Sequence, residues 1–293
     1  MSEPTIRTVD IGRIELCVAE SGAGGRPLLL VHGFTGAKED FVEHLPPLAD
    51  AGWHVVAPDL RGHGASEAPG EESDYDFDVL AGDLLALATA LGWPRFALLG
   101  HSMGGMVVQV AAVADPDRLV ALVLMDTCSG PVVFDRELAL GAAALVRHQG
   151  MAALAPLVAS LPDGNPLDTA ASRHVRQTRL SPLGGDDPAS SWAAFGDAKL
   201  LAASPVMFAA MVPVMLDAEE RLASLRHLDV PTLVVVGEQD ATFFEASRAL
   251  ATTIPGARLE VIVGAGHNPQ HEAPEAWRQV VLGFLAETVA PAG

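Results

Sequence analysis

The feature that most constrains this chain is a set of short runs with almost no polar residue in them: residues 28–31, 55–57 and 96–99, and Leu119–Met125. A strand that shows one face to water alternates apolar and polar residues, whereas a strand covered on both faces must be apolar throughout. Helical patterns separate these runs, at residues 41–51, at 77–91 and at Met103–Ala114. Strand and helix taking turns in this way predict an α/β fold: a doubly wound, mostly parallel sheet with helices on both sides. Residues 5–14 and 14–19 alternate instead, which predicts an antiparallel hairpin exposed on one face. After Asp126 the pattern changes. Residues 129–226 hold no buried strand but helical stretches at 136–148, 151–160, 192–202 and 205–216, with Pro/Gly/Asp loops at 162–166 and 181–188. Strands resume at 232–236 and 258–263, and a helix at 273–289 closes the chain. Residues 1–129 and 227–293 therefore form one sheet domain, interrupted by an all-helical cap over residues 130–226. No repeat at solenoid periods is present.

The sharpest chemical signal follows the strand at 96–99. Gly100-His101-Ser102-Met103-Gly104-Gly105 opens a helix and has the G-x-S-x-G pattern of a nucleophile elbow. A strand turning at once into a helix strains the serine backbone, and the small neighbours let other chain pass close by. The hydroxyl is then presented beside the positive end of the helix. Serine alone is too weak an acid to attack a carbonyl, so a base and an orienting acid are needed. Asp240 ends the strand 232–236 in Gly237-Glu238-Gln239-Asp240, and His267 follows the next strand in Gly264-Ala265-Gly266-His267. The order Ser102, Asp240, His267 is the one that accompanies such an elbow. Asp126, at the end of the preceding strand, competes with Asp240 for the orienting role. His32-Gly33-Phe34-Thr35-Gly36 can supply an amide to an oxyanion hole, and the donors are assigned to the Phe34 and Met103 N–H groups.

Composition excludes some partners. Eighteen Lys and Arg against 37 Asp and Glu give a formal charge of −19, with no basic footprint for nucleic acid and repulsion from an anionic membrane. No apolar run reaches the ~18 residues of a bilayer span. The first residues lack the basic and apolar segments of a signal peptide, so the expected location is cytoplasmic. Cys17 and Cys128 allow one bridge but no disulfide framework. No metal-ligand spacing is visible among the ten histidines and two cysteines.

Five segments together resemble the capped serine hydrolases of the α/β-hydrolase fold superfamily: LLLVHGF from Leu28, APDLRGHGAS from Ala57, LLGHSMGG from Leu98, VVVGEQD from Val234 and GAGHNPQHEAP from Gly264. The resemblance implies an eight-stranded, mostly parallel sheet, a helical cap after the sixth strand, and no cofactor. It favours Asp240 over Asp126 as the triad acid. The superfamily includes carboxylesterases, lactonases, carbon–carbon bond hydrolases and cofactor-free perhydrolases. Its epoxide hydrolases and haloalkane dehalogenases use an aspartate nucleophile where this chain has Ser102. In the same light His63 and Asp59, in Pro58-Asp59-Leu60-Arg61-Gly62-His63-Gly64, belong to a loop fixed by an internal ion pair. His271 is read as a surface residue at a helix entrance.

Met207, Met211 and Met215 share one helix face, either as cap packing or as an adaptable apolar wall over Ser102. Trp192, Phe195 and Phe208 can join that wall, and His32 and His101 flank the nucleophile. The candidate pocket is thus His32, His101, Trp192, Phe208, Met211 and Met215. The expected function is hydrolysis of a carboxylic ester or lactone of a small, mainly apolar substrate through an acyl-enzyme on Ser102. Carbon–carbon bond cleavage and perhydrolysis use the same triad and stand as alternatives. A non-catalytic small-molecule receptor would have no need of a nucleophile and base.

Overall fold

The computed structural model describes residues 4–160, 167, 169–178 and 192–288. The loops expected at 162–166 and 181–188 lie outside the described residues. Eight strands form one sheet: β1 (Thr5–Asp10), β2 (Glu15–Ser21), β3 (Arg26–Val31), β4 (Trp53–Pro58), β5 (Phe96–His101), β6 (Leu119–Met125), β7 (Thr232–Gly237) and β8 (Arg258–Ile262). Their order is β1-β2-β4-β3-β5-β6-β7-β8, antiparallel from β1 to β4 and parallel from there on.

The apolar runs are apolar because both faces are covered. Leu28 and Leu30 of β3 and Ala97 and Leu99 of β5 pack into one layer, while Leu29, Val31, Phe96 and Leu98 pack into the other. On the first side lie α1 (Leu45–Asp50) and a C-terminal helix, Pro274–Thr288, through Leu45, Leu48, Trp277 and Phe284. On the second lie α2 (Phe77–Ala90) and α3 (Met103–Ala114), through Leu80, Leu84, Met106 and Val107.

The hairpin differs from the alternating pattern read in the sequence. β1 is exposed at all positions but Val9, whereas β2 is mostly buried. The edge position explains this, since β1 has a neighbour on one side only. The helix expected at 41–51 is also shorter. Two 3₁₀ turns, Lys38–Asp40 and Val42–His44, precede α1, whose first turn holds Pro46 and Pro47. Proline lacks an N–H and restricts the residue before it, so the α-helix begins at its proline pair.

Between β6 and β7 the described residues form α4 (Arg136–Gln149), α5 (Leu154–Ser160), α6 (Ala170–Thr178), α7 (Trp192–Ala202), α8 (Pro205–Leu216) and α9 (Leu222–Leu225). Then follow α10 (Phe244–Thr253), α11 (Pro269–Glu272) and the C-terminal helix as α12. Caps set several starts: the Asp135 carboxylate accepts from Leu138 N at 3.0 Å ahead of α4, and the Ser204 hydroxyl accepts from Met207 N at 3.3 Å ahead of α8. Helix α6 was not legible in the sequence, because Ala-Ala-Ser-Arg-His-Val-Arg-Gln-Thr is mostly polar, with Val175 as its one large apolar residue.

Two buried ion pairs hold the loops beside the sheet's C-terminal edge. Arg61 grips Asp83 through two hydrogen bonds of 2.6 and 2.9 Å. Asp59 accepts from the Lys38 amide at 2.7 Å, from Lys38 Nζ at 2.8 Å and from Ala65 N at 2.9 Å. The ion pairs that fix this loop are therefore not the internal one expected but run outward, from Asp59 to Lys38 and from Arg61 to Asp83 on α2.

Candidate active site

The parallel strands β5, β7 and β8 end on the same edge of the sheet, and each delivers one polar residue there. Ser102 follows β5 directly, with φ 53° and ψ −121°. This is left-handed backbone that a side-chain-bearing residue rarely adopts. It is held by hydrogen bonds from Ser102 N to Met125 O, 2.9 Å, and from Thr127 Oγ1 to Ser102 O, 2.7 Å. The flanking glycines are sterically required. A Cβ on Gly100 would lie 2.4 Å from Gly104 O, and one on Gly104 would lie 2.3 Å from His32 O.

His267 Nε2 lies 3.0 Å from Ser102 Oγ, and His267 Nδ1 lies 2.7 Å from Asp240 Oδ2. A carboxylate only accepts, so the ring proton sits on Nδ1 and the Nε2 lone pair faces the serine hydroxyl. The acid on β7, not Asp126 on β6, touches the histidine. Burial works against ionisation of Asp240, but the hydrogen bond and charge of His267 outweigh it and hold this carboxyl below the usual range. The Phe243 ring stacks on His267 with centroids 5.0 Å apart, fixing the plane of the imidazole.

The loop after β3 lies against the serine: a Cβ on Gly33 would be 3.0 Å from Ser102 Cβ. Among the described residues no acceptor takes the Phe34 or Met103 amide. His32 is fully buried, and its ring is consumed in bracing this loop: Nδ1–H donates to Gly33 O at 2.8 Å, and Nε2 accepts from Leu60 N at 3.0 Å. It lines no pocket, in contrast to its place in the expected set. His101 donates from Nε2 to His267 O at 2.7 Å, tying the elbow to the histidine loop. Burial, helped by His267, pushes His101 down to about 3, so it stays neutral.

The helical insertion supplies the other wall. Phe208 stacks on Phe34 with centroids 4.9 Å apart, and Met211 and Met215 are buried in the same apolar cluster as Met103 and Phe243. Met207 instead fills the space beside Gly62. Trp192 packs on Phe195 and on His271, at 5.2 and 4.3 Å, at the side of the site. His271 is buried rather than at the surface, 3.7 Å from Asp40. Lys199 of α7 pairs with the same Asp40, joining the insertion to the sheet domain across 159 residues of chain. Burial opposes the Asp40 charge, but Lys199 and His271 hold it far below the usual carboxylate range. Nothing local in the sequence announces this cluster.

Folding also brings together potential ligand sets that spacing does not reveal. Atoms of Glu43, His44 and His271, and atoms of Asp126, Asp240 and His267, lie within 4.8 Å of one another in each group. In the first, His44 Nε2 already donates to Gln270 O at 2.9 Å. In the second, His267 and Asp240 already bond each other. Cys17 and Cys128 are both free and buried.

The sequence model for a family described as alpha/beta hydrolase fold matches residues 26–274. Epoxide hydrolase A of Mycobacterium tuberculosis (strain ATCC 25618 / H37Rv) is 38% identical over 132 residues, 45% of this chain and 41% of that protein. The chain thus matches less than half the length of that curated relative. A thermophilic esterase from Thermogutta terrifontis superimposes with a TM-score of 0.79 at 30% identity, covering 99% of this chain and 100% of the other. The enol-lactonase from Burkholderia xenovorans LB400 does so with a TM-score of 0.79 at 25% identity, covering 95% and 99%. Motif, sheet order and family match agree: this chain belongs to the alpha/beta hydrolase fold family.

Proposed function

We propose that the chain is a serine hydrolase acting on a carboxylic ester or lactone of a small, mainly apolar substrate. The observation that carries this reading is the continuous hydrogen-bonded line from Ser102 Oγ through His267 to Asp240, 3.0 and 2.7 Å, starting from a strained elbow. His267 Nε2 takes the hydroxyl proton as Ser102 Oγ attacks the carbonyl carbon, and Asp240 stabilises the imidazolium that forms. The Phe34 and Met103 amides donate to the oxyanion, each worth about 10² to 10³ in rate. The imidazolium then protonates the leaving oxygen. Water, deprotonated by the same His267, hydrolyses the acyl-enzyme and restores the serine.

The nucleophile is what favours ester over epoxide or carbon–halogen chemistry. A serine adduct with a carbonyl compound is an acyl ester that water can cleave, whereas a serine opened onto an epoxide would leave an ether that this base cannot hydrolyse. The relatives named as an esterase and an enol-lactonase align over nearly the whole chain, and that named as an epoxide hydrolase over 45% of it. The apolar Phe34 and Phe208 rings suit an apolar acyl group.

The test is a fluorophosphonate probe with peptide mass spectrometry, run beside a p-nitrophenyl ester chain-length series. Labelling at Ser102 with turnover is expected. Absence of labelling in folded protein overturns the reading, and labelling without turnover of any ester or lactone restricts it to a narrower bond type.

A further inference from the structure

Three non-glycine residues among those described have positive φ: Thr35 at 55°, Ser102 at 53° and Asp126 at 45°. Two belong to the loop and elbow already described. The third, Asp126, ends β6 beside the triad and has no part in the mechanism above. Its side chain is fully buried, Oδ1 accepts from Gly237 N at 2.9 Å, and Oδ2 receives no hydrogen from any described donor. Asp126 and Asp240 nevertheless face each other closely enough to share a hydrogen bond. The ionisable groups around Asp126 are Asp240 after β7, His267 after β8 and Glu272 on α11, two further acids and one imidazole.

Two carboxylates cannot both keep a charge in such a place. Asp240 has the better claim, with donors in His267 Nδ1–H at 2.7 Å and Phe243 N–H at 3.3 Å, while Asp126 has one amide. We propose that Asp126 is a positioning residue, a neutral carboxylic acid whose Oδ2–H donates to Asp240 and locks the orienting acid from behind. Burial and the Asp240 charge push Asp126 well above the usual carboxylate range, in the direction this requires. No proton leaves Asp126 during turnover. The pairing gives Asp240 a fixed third donor and keeps a second negative charge away from the imidazole. The inference rests on the reading that Asp240 and His267 activate Ser102.

The test uses Asp126→Asn and Asp126→Leu. Asparagine keeps both an acceptor for Gly237 N and a donor for Asp240 and tolerates the left-handed backbone; leucine keeps neither bond. Asp126→Leu is expected to lose about 10²-fold in kcat with KM little changed, and Asp126→Asn to recover most of that loss. The acid limb of kcat/KM stays in place in Asp126→Asn, because a neutral group replaces a neutral group. A shift of that limb to lower pH would mean that a charge had been removed, and would overturn the proposal. Carbon-13 NMR of protein labelled at aspartate carboxyls gives a readout independent of turnover. One protonated carboxyl resonance is expected at pH 7 in the wild type, lost in Asp126→Asn, and its absence from the wild type overturns the proposal. If the wild type hydrolyses no ester, the functional reading fails, and the carbon-13 spectrum still decides the state of Asp126.

Discussion

The sheet domain and the helical insertion are held by different kinds of contact. The sheet domain has exposed ion pairs such as Arg258–Glu287, but it also holds two buried ones, Arg61 with Asp83 and Lys38 with Asp59, all four side chains at most 6% exposed. The insertion's pairs are exposed: Arg136–Asp217 within it and Arg147–Glu72 across to the sheet domain, each partner more than 40% exposed. Exposed pairs contribute little, about 0–1 kcal/mol, whereas breaking a buried pair leaves a stranded charge. Lys199–Asp40 also joins the two regions, and its side chains are much less exposed than those of Arg147–Glu72. Ser102, Asp240 and His267 therefore stand in the region that holds the buried pairs, where loss of a partner is costly.

The largest expected effect removes the chemistry and leaves both regions standing. Ser102→Ala is expected to lower kcat on the order of 10⁶-fold with an unchanged unfolding midpoint; retained turnover in a clean preparation would sink the mechanism. Next comes acid. Burial pushes His44, His63 and His101, all in the sheet domain, down to about 3, from an ordinary 6.5. Between those values the unfolded chain binds more protons than the folded one, so stability rises with pH and is lost as pH falls below about 6.5. Each group contributes a slope of up to about 1.4 kcal/mol per pH unit. Thermal midpoints measured from pH 7 to pH 4 should fall steeply; a flat profile would refute the neutral state of these rings.

Arg61→Leu leaves the buried Asp83 carboxylate only the longer contact to Arg13 Nε, 3.5 Å away, and is expected to destabilise by about 3–5 kcal/mol in denaturant titration. Arg147→Leu in the insertion, by contrast, should cost less than about 1 kcal/mol. Equal costs would erase the contrast between the regions. The smallest effect is the most specific. Phe208→Leu is expected to shift the preferred ester chain length, changing relative kcat/KM by about tenfold, while the fluorophosphonate labelling rate holds.

Much of the sheet was legible because burial on two faces writes itself into continuous apolar runs such as Leu28–Leu29–Leu30–Val31. The Ser102–Asp240–His267 line was legible because an elbow needs glycines at fixed places and the acid and base must end later strands. Other features depend on which strands become neighbours. Asp126 meets Asp240 only because β6 pairs with β7, Met125 opposite Val235. Asp40 meets Lys199 only when α7 packs against the loop after β3. His32 braces its own loop, through hydrogen bonds to backbone at Gly33 and Leu60 that side-chain identity does not specify.

The hydrogen bond between Ser102 and His267 spans 165 residues of chain. At ribosomal rates of about 5–20 residues per second, the serine is synthesised roughly 10–30 s before the histidine that activates it. During that interval the growing polypeptide carries a hydroxyl with no base, as inert toward esters as any other serine. Under the proposed mechanism, reactivity switches on only when the loop after the last strand has been made and docked, so a prematurely terminated chain would carry no active nucleophile.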